Sequence, residues 1–431
     1  MVNLEAMTDK EQLLHYVWKC RLFPACSLVT VDGQKIEVID TGIHNMDAGP
    51  DFFNAKIRIA ATLWVGNVEI HRTSADWVKH GHHLDKAYNS VILHLSEKVD
   101  RVVVNERGQT IPQCEMTVPE NVRRNADYLL YSDSPLPCKS HLSSLPGVII
   151  HAYLSQLSME RLERKVNDIF RHLDRFRNSW DDVFYVLLTR NFGFGLNAEV
   201  FEKMALSLPF TYIRKQSDNL FQVEALLFGQ AGMLEDPHLN DTYYQQLRAE
   251  YHFLQSKYTL KNREGYLFKK MRVRPSSSPH LRIAQLAALL QNGDRLFSSI
   301  LEQDEYGQWI ALFQAEPSCY WHTHYSFGKE APKAEKPIGE ASLNIILINT
   351  VAPLLFAYGK RTASERFCER AVKLLESLKP ERNKIIGEFS GAGVTPQNAL
   401  DSQALIQLRK EYCDQRKCLY CRIGHTILSS R

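Results

Sequence analysis

The strongest constraint on this chain is a change of hydrophobic period. Between Lys35 and Val104 apolar residues alternate with polar ones: Lys35-Ile36-Glu37-Val38-Ile39-Asp40, then residues 55–59, 63–71 and 90–95, with 101–104 as a further short candidate. Strand side chains point to opposite faces in turn, so this stretch predicts four or five strands. From Gly147 the apolar spacing becomes three-and-four, through Leu154, Leu157, Leu162, Val166, Ile169 and Phe170. Helical patterns follow over residues 180–192, 198–208, 220–234, 243–257, 281–291, 343–358, 365–378 and 403–412. The expected fold class is α+β, with an N-terminal mixed sheet flanked by helices and a mostly α-helical C-terminal half.

A chain of 431 residues exceeds the usual single domain of ~100–200 residues, so more than one is expected. Ser132-Asp133-Ser134-Pro135-Leu136-Pro137 reads as a linker and Glu330 to Pro337 as an exposed connector, which divides the chain into residues 1–140, 141–330 and 331–431. Thr8 before Asp9-Lys10-Glu11 reads as the N-cap of a short helix with Glu11 on its first turn. Glu5, Asp9 and Lys10 near the start are unlike a secretory leader, and a cytoplasmic protein is expected. The apolar run 345–358 contains Asn349, Thr350 and Pro353 and falls short of the ~20 residues that span a bilayer; a buried helix and no membrane segment are expected. Nothing in the sequence sets an oligomeric state.

Chemistry concentrates in Gly49-Pro50-Asp51-Phe52-Phe53 and Gly66-Asn67-Val68-Glu69-Ile70-His71. On a strand Glu69 and His71 stand side by side while Val68 and Ile70 pack inward, and Asp51 needs only to begin a neighbouring strand. Two carboxylates with open positions suit a hard divalent cation, which activates water and offsets negative charge in phosphodiester hydrolysis. Six of the sixteen histidines (His44, His71, His80, His82, His83, His94) fall in this region, which also fits a histidine-rich zinc or iron site. The plain alternative is a turn at Gly49-Pro50-Asp51, a solvated strand face at Glu69 and His71, and a polar loop at 80–83. His94, in an apolar strand, reads as a core histidine.

The order helix, strand, strand beginning near Asp51, strand bearing Glu69-Ile70-His71, crossover, strand resembles the PD-(D/E)XK nuclease superfamily. That resemblance implies a restriction-endonuclease-like sheet and Asp51, Glu69 and His71 as the catalytic set. It also implies Mg2+ or Mn2+ held by Asp51, Glu69 and the Ile70 carbonyl, with Glu11 as an extra helical acid. The usual lysine is replaced by His71, whose neutral imidazole supplies no fixed charge at pH 7. Three functions follow as expectations: a metal-dependent nuclease; a non-catalytic nucleic-acid-binding or assembly module with a degenerate core; or a His/Asp metallohydrolase of a small molecule.

Nine cysteines, odd in number and without regular spacing over most of the chain, predict reduced thiols. Cys413, Cys418 and Cys421 nevertheless cluster, with His425 close behind, and Cys418 and Cys421 have the two-residue gap of a metal-ligand pair. A fourth ligand is expected from His425 or from Cys138, Cys20 or Cys26. Some PD-(D/E)XK nucleases resemble this layout and hold an iron–sulfur cluster, so Zn2+ or a 4Fe–4S cluster is expected here. Cys114, Cys319 and Cys368 read as small buried hydrophobes.

The net charge of +3 names no partner, but residues 248–282 carry nine basic residues against two acids. Tyr251, Phe253, Tyr258, Tyr266 and Phe268 interleave them, which suits phosphate contact and base stacking on nucleic acid, with Lys269, Lys270, Arg272, Arg274 and Arg282 as candidates. The alternative is a solvated helix face over core aromatics. End to end, Gly49 to Phe52, Gly66 to His71, Asp76-Trp77, His80 to His83, Tyr88, Val91 to His94, Arg274-Pro275, Arg282 to Gln285 and Cys418 to Gly424 resemble an uncharacterised bacterial domain-of-unknown-function family.

Overall fold

The computed structural model describes residues 9–24, 28–261, 268–269 and 274–430. It forms two compact units: Met1–Tyr153 with Leu408–Arg431, and Leu154–Gln407. This division differs from the three segments expected. Both crossings fall inside helices, and the Ser132 to Pro137 stretch lies within the first unit, where Leu136 is buried and Arg416 donates to the Ser134 carbonyl at 2.9 Å. The proline-rich composition there makes local turns, with Ser132 Oγ accepting from the Ser134 N–H and Ser134 Oγ from the Leu136 N–H.

The first unit contains α1 (Asp9–Lys19), β1 (Ile36–Asp40), β2 (Ile43–His44), β3 (Phe52–Ile59), β4 (Thr62–Thr73), α2 (Asp76–Lys79), β5 (Val91–Lys98), β6 (Gln113–Glu115), α3 (Glu120–Leu130), α4 (Lys139–Leu142) and the start of α5 (Gly147–Arg175). Thr8, expected as the N-cap of α1, lies outside the described residues. The sheet runs β1-β3-β4-β5-β6, with β2 beside β3. The pairs β1/β3 and β3/β4 are antiparallel, and β4/β5 and β5/β6 are parallel. Parallel neighbours need a crossover, which α2 and two short 3-10 turns supply between β4 and β5.

Period two is clearest in β3, where buried Ala55, Ile57 and Ile59 alternate with exposed Lys56 and Arg58. In β5 all residues from Val91 to Ser96 are buried, as expected of a central strand covered on both faces. Residues 101–104 do not form the fifth strand; the edge is β6 instead. Their carbonyls are already engaged by the crossover, since Ser74 Oγ donates to Arg101 O at 3.0 Å and Trp77 Nε1 to Val104 O at 3.0 Å.

Among its described residues, the regular structure of the second unit is helical apart from a small hairpin, His324–Ser326 with Lys329–Glu330. Trp180–Phe192, Leu220–Gln230 and Pro279–Gln291 each bury most of their residues, and their buried apolar side chains join one core. The helix Glu340–Thr362, 23 residues at mean hydropathy 1.6, meets the length and apolarity of a membrane span, but most of it packs inside this core. Pro353 has no N–H to give the Asn349 carbonyl. The helix widens into a π turn over Leu347–Val351, and Asn191 Nδ2 donates to the Asn349 carbonyl at 3.0 Å.

Candidate metal centre

Asp51 and Glu69 meet because β3 and β4 are adjacent and Phe52 pairs with Val68. The Asp51 N–H donates to Glu69 Oε2 at 3.0 Å, and the Ile70 N–H donates to Asp51 Oδ2 at 2.8 Å. Each acid is thus anchored by the other's strand. The turn before β3 is held by Asn45, whose Nδ2 donates to the Asp47 and Pro50 carbonyls at 3.1 Å each.

Imidazoles surround the pair. His82 Nε2 lies 3.2 Å and His71 Nε2 3.6 Å from Glu69 Oε1. His80 Nδ1 is 3.2 Å from His71 Nε2. His71, His80 and His82 offer ligand atoms all within 4.8 Å of one another, two of these rings buried and His80 exposed. His15, from α1, brings Nε2 to 3.4 Å from Asp51 Oδ2 and interacts with the Ile70 carbonyl that was expected as a ligand.

Neighbours fix these rings. His71 Nδ1 lies 2.9 Å from His94 Nε2, so His94 is a buried partner of the site; its own Nδ1 meets no hydrogen-bond partner among the described residues. Tyr88 stacks on His82 at 3.8 Å between centroids, and Trp77 meets both His82 and His94 edge-on. Gly81, at φ 78°, makes the left-handed turn that returns His82 toward β4.

Val68, Glu69, Ile70 and His71 are all buried, so the solvated-face alternative does not hold. α1 packs on β4 and covers the face that strand alternation left open. Burial pushes Glu69 and Asp51 up, the Glu69 charge adds to the rise at Asp51, and Glu11 pushes both further. Glu11 is itself raised to about 7 by burial and then by Asp76. Burial pushes His71 well down, with His94, His82 and His80 adding to it, and lowers His82 to about 4 and His15 and His94 each to about 3. The site therefore presents neutral imidazoles to crowded acids, a donor set that a cation would relieve.

His15 had no sequence signal, because its proximity comes from α1 crossing β4. His80 and His82 stood out only as part of a histidine-rich stretch; the glycine between them was the visible clue to the turn.

Cys138, Cys413, Cys418 and Cys421 line one cavity in the first unit. His425 is not among its walls and instead bonds Tyr16 Oη through Nδ1 at 2.7 Å. Cys20 is also absent from the cavity lining, and Cys26 lies outside the described residues. Cys114 is fully buried, but Cys368 is only partly so and Cys319 is exposed, which corrects the expectation for those two.

The basic stretch separates. Lys269 and Arg274 are exposed, while Lys270, Arg272 and Tyr266 lie outside the described residues. Arg282 is buried: its guanidinium donates to Gln285 Oε1 at 3.0 Å and Ser342 Oγ at 3.1 Å and sits 4.2 Å from the centre of the Phe194 ring. It is a structural cation, placed by helix packing, and not a surface contact for phosphate. Tyr251 and Phe268 are core residues, leaving Phe253 exposed.

Fold and site together define an α+β protein with a buried carboxylate–imidazole centre. Residues 11–384 match the model of a family described as a protein of unknown function, DUF2851, and the chain belongs to that family. The matched span ends before Cys418 to Gly424, so those residues are not among the matched features. No curated protein and no solved structure matches the chain.

Proposed function

We propose that the first unit is a metal-dependent, nuclease-like hydrolase of nucleic-acid phosphodiesters. The observation that carries this reading is the reciprocal anchoring of Asp51 and Glu69, at 3.0 and 2.8 Å, beside His71. An antiparallel β1-β3-β4 meander followed by a crossover to parallel β5, with α1 packed on β4, supports it as the order of elements in the PD-(D/E)XK superfamily.

Asp51 and Glu69 would hold a divalent cation, Mg2+ or Mn2+, with Glu11 beside them, and the ion would supply charge to activate water and offset the phosphate. His71 and His82, held neutral by burial, would orient the attacking water, whose proton passes to solvent. His94 holds the His71 ring in place, and the packed rings of Trp77 and Tyr88 keep water from the inner side. Of the candidates from the basic stretch, Lys269 and Arg274 are the described residues whose charges are exposed to phosphate.

The histidine triad favours a second reading, a metallohydrolase of a small molecule that uses zinc or iron. Full-length protein incubated with Mn2+ or Mg2+ and labelled single- and double-stranded DNA and RNA tests the proposal. Cleavage lost in Glu69→Ala with an unchanged circular dichroism spectrum supports it; equal cleavage in that variant removes Glu69 from the chemistry. Salt-sensitive binding without turnover favours the non-catalytic module. Tightly bound zinc or iron at this centre without nucleic-acid affinity favours the small-molecule enzyme.

A further inference from the structure

The cysteine cavity of the first unit has no part in the proposed hydrolysis. Cys138, just before α4, and Cys413, Cys418 and Cys421 are each 7–8% exposed. They share a cavity of about 10 Å³ whose lining is almost wholly apolar. Cys413 lies close to the other three. Nothing cross-links them: all four are free thiols.

Three features distinguish this cluster from thiols packed as small hydrophobes. Burial raises the Cys421 thiol, and the backbone N–H groups of Gly424 and Ile423 beside its sulfur offset part of that rise. Gly424 permits this close wrap, since a Cβ there would lie 2.1 Å from the Cys418 carbonyl oxygen. Finally, the buried Tyr153 hydroxyl lacks a well-formed hydrogen bond and lies within electrostatic reach of Cys421. Apolar packing requires none of these, whereas a thiolate bound to metal uses both amide donors and a hydroxyl near sulfur.

We propose that Cys138, Cys413, Cys418 and Cys421 together hold one thiolate-bound metal centre, a zinc ion or an iron–sulfur cluster, which fastens the chain from Leu408 onward to the N-terminal part of its unit. Four thiolates complete the ligand set of either. The surrounding contacts agree: Asn125 Nδ2 donates to Ile427 O at 3.0 Å and Asn121 Nδ2 to Ser430 O at 3.2 Å. This centre stands independently of the Asp51 and Glu69 site.

Full-length protein purified without oxygen, analysed for zinc, iron and acid-labile sulfide, tests it beside Cys138→Ser, Cys421→Ser and the buried control Cys114→Ser. Wild type and Cys114→Ser should carry the centre, and the other two variants should lose at least about tenfold of it. Zinc alone identifies a single ion; iron with sulfide and a visible absorption band identifies a cluster. Wild-type protein without either, or equal loss in Cys114→Ser, overturns the proposal. Because Cys421→Ser can fail to fold, alkylation of folded wild-type protein read by mass spectrometry gives a second measure. Removing zinc with chelator, or a cluster by air oxidation with chelator, should expose all four thiols together, and labelling indifferent to both treatments refutes the centre.

Discussion

Glu69 couples the chemistry of the first unit to its stability. Without metal, burial raises its carboxyl from 4.5 to about 8. Folding then favours the protonated acid, so its contribution is complete below the unfolded value and is lost as pH rises through about 8. Glu69→Gln has no such proton to lose. In the presence of chelator the Tm of Glu69→Gln should match wild type near pH ~4 and exceed it increasingly toward pH ~8; parallel curves across that window would contradict the assignment. The buried imidazoles act in the opposite sense, stabilising above their ordinary value of 6.5 and failing as pH falls toward 4 and then 3. Both proteins share that acid limb. His94 acts through His71, and His94→Leu should weaken Mn2+ binding by about 10–100-fold in calorimetry while leaving Asp51 and Glu69 in place. Asp51, Glu69 and His71 were legible because strand spacing alone puts such residues together. His15 was not, since it lies 36 positions before Asp51 on a helix whose docking no local pattern encodes.

β4 is the element on which the site depends, and its two neighbours differ in how readable they were. The tight turn into β4 and the alternation of β3 follow from local composition, whereas β6 is three residues long and becomes a strand by pairing with β5 and bridging Thr30. Leu93, fully buried at the centre of β5 beside Val68, is predicted to cost about 2–5 kcal/mol as Leu93→Ala in denaturant melts. At Gly81 the left-handed backbone makes Gly81→Ala cost about 1–2 kcal/mol. The same change should lower metal affinity, because His80 and His82 flank the turn; unchanged affinity would separate this turn from the site. The long helices were read closely, Trp180–Phe192 to the residue, because their apolar spacing is dense and uninterrupted. Arg282 shows where such reading fails: a basic residue on an apolar helix carries no local mark of the Gln285 and Phe194 partners that bury it.

In the whole molecule the last residues return to the first. Tyr16 meets His425, and α3 meets the helix Arg422–Leu428. Deleting residues 408–431 should therefore lower the Tm of the N-terminal unit and speed proteolysis within α1 and α3; unaltered melting would show that this return adds no stability. The periodicities already specified strands before helices, the acid pair on neighbouring strands and a metal-like cysteine pair, because each depends on residues close in number or on a simple register. Which imidazoles close around Glu69, which cysteine joins the late three, and which basic residues stay exposed depended on packing between distant segments. Those contacts are set by burial and shape across the fold, where spacing along the chain carries no information.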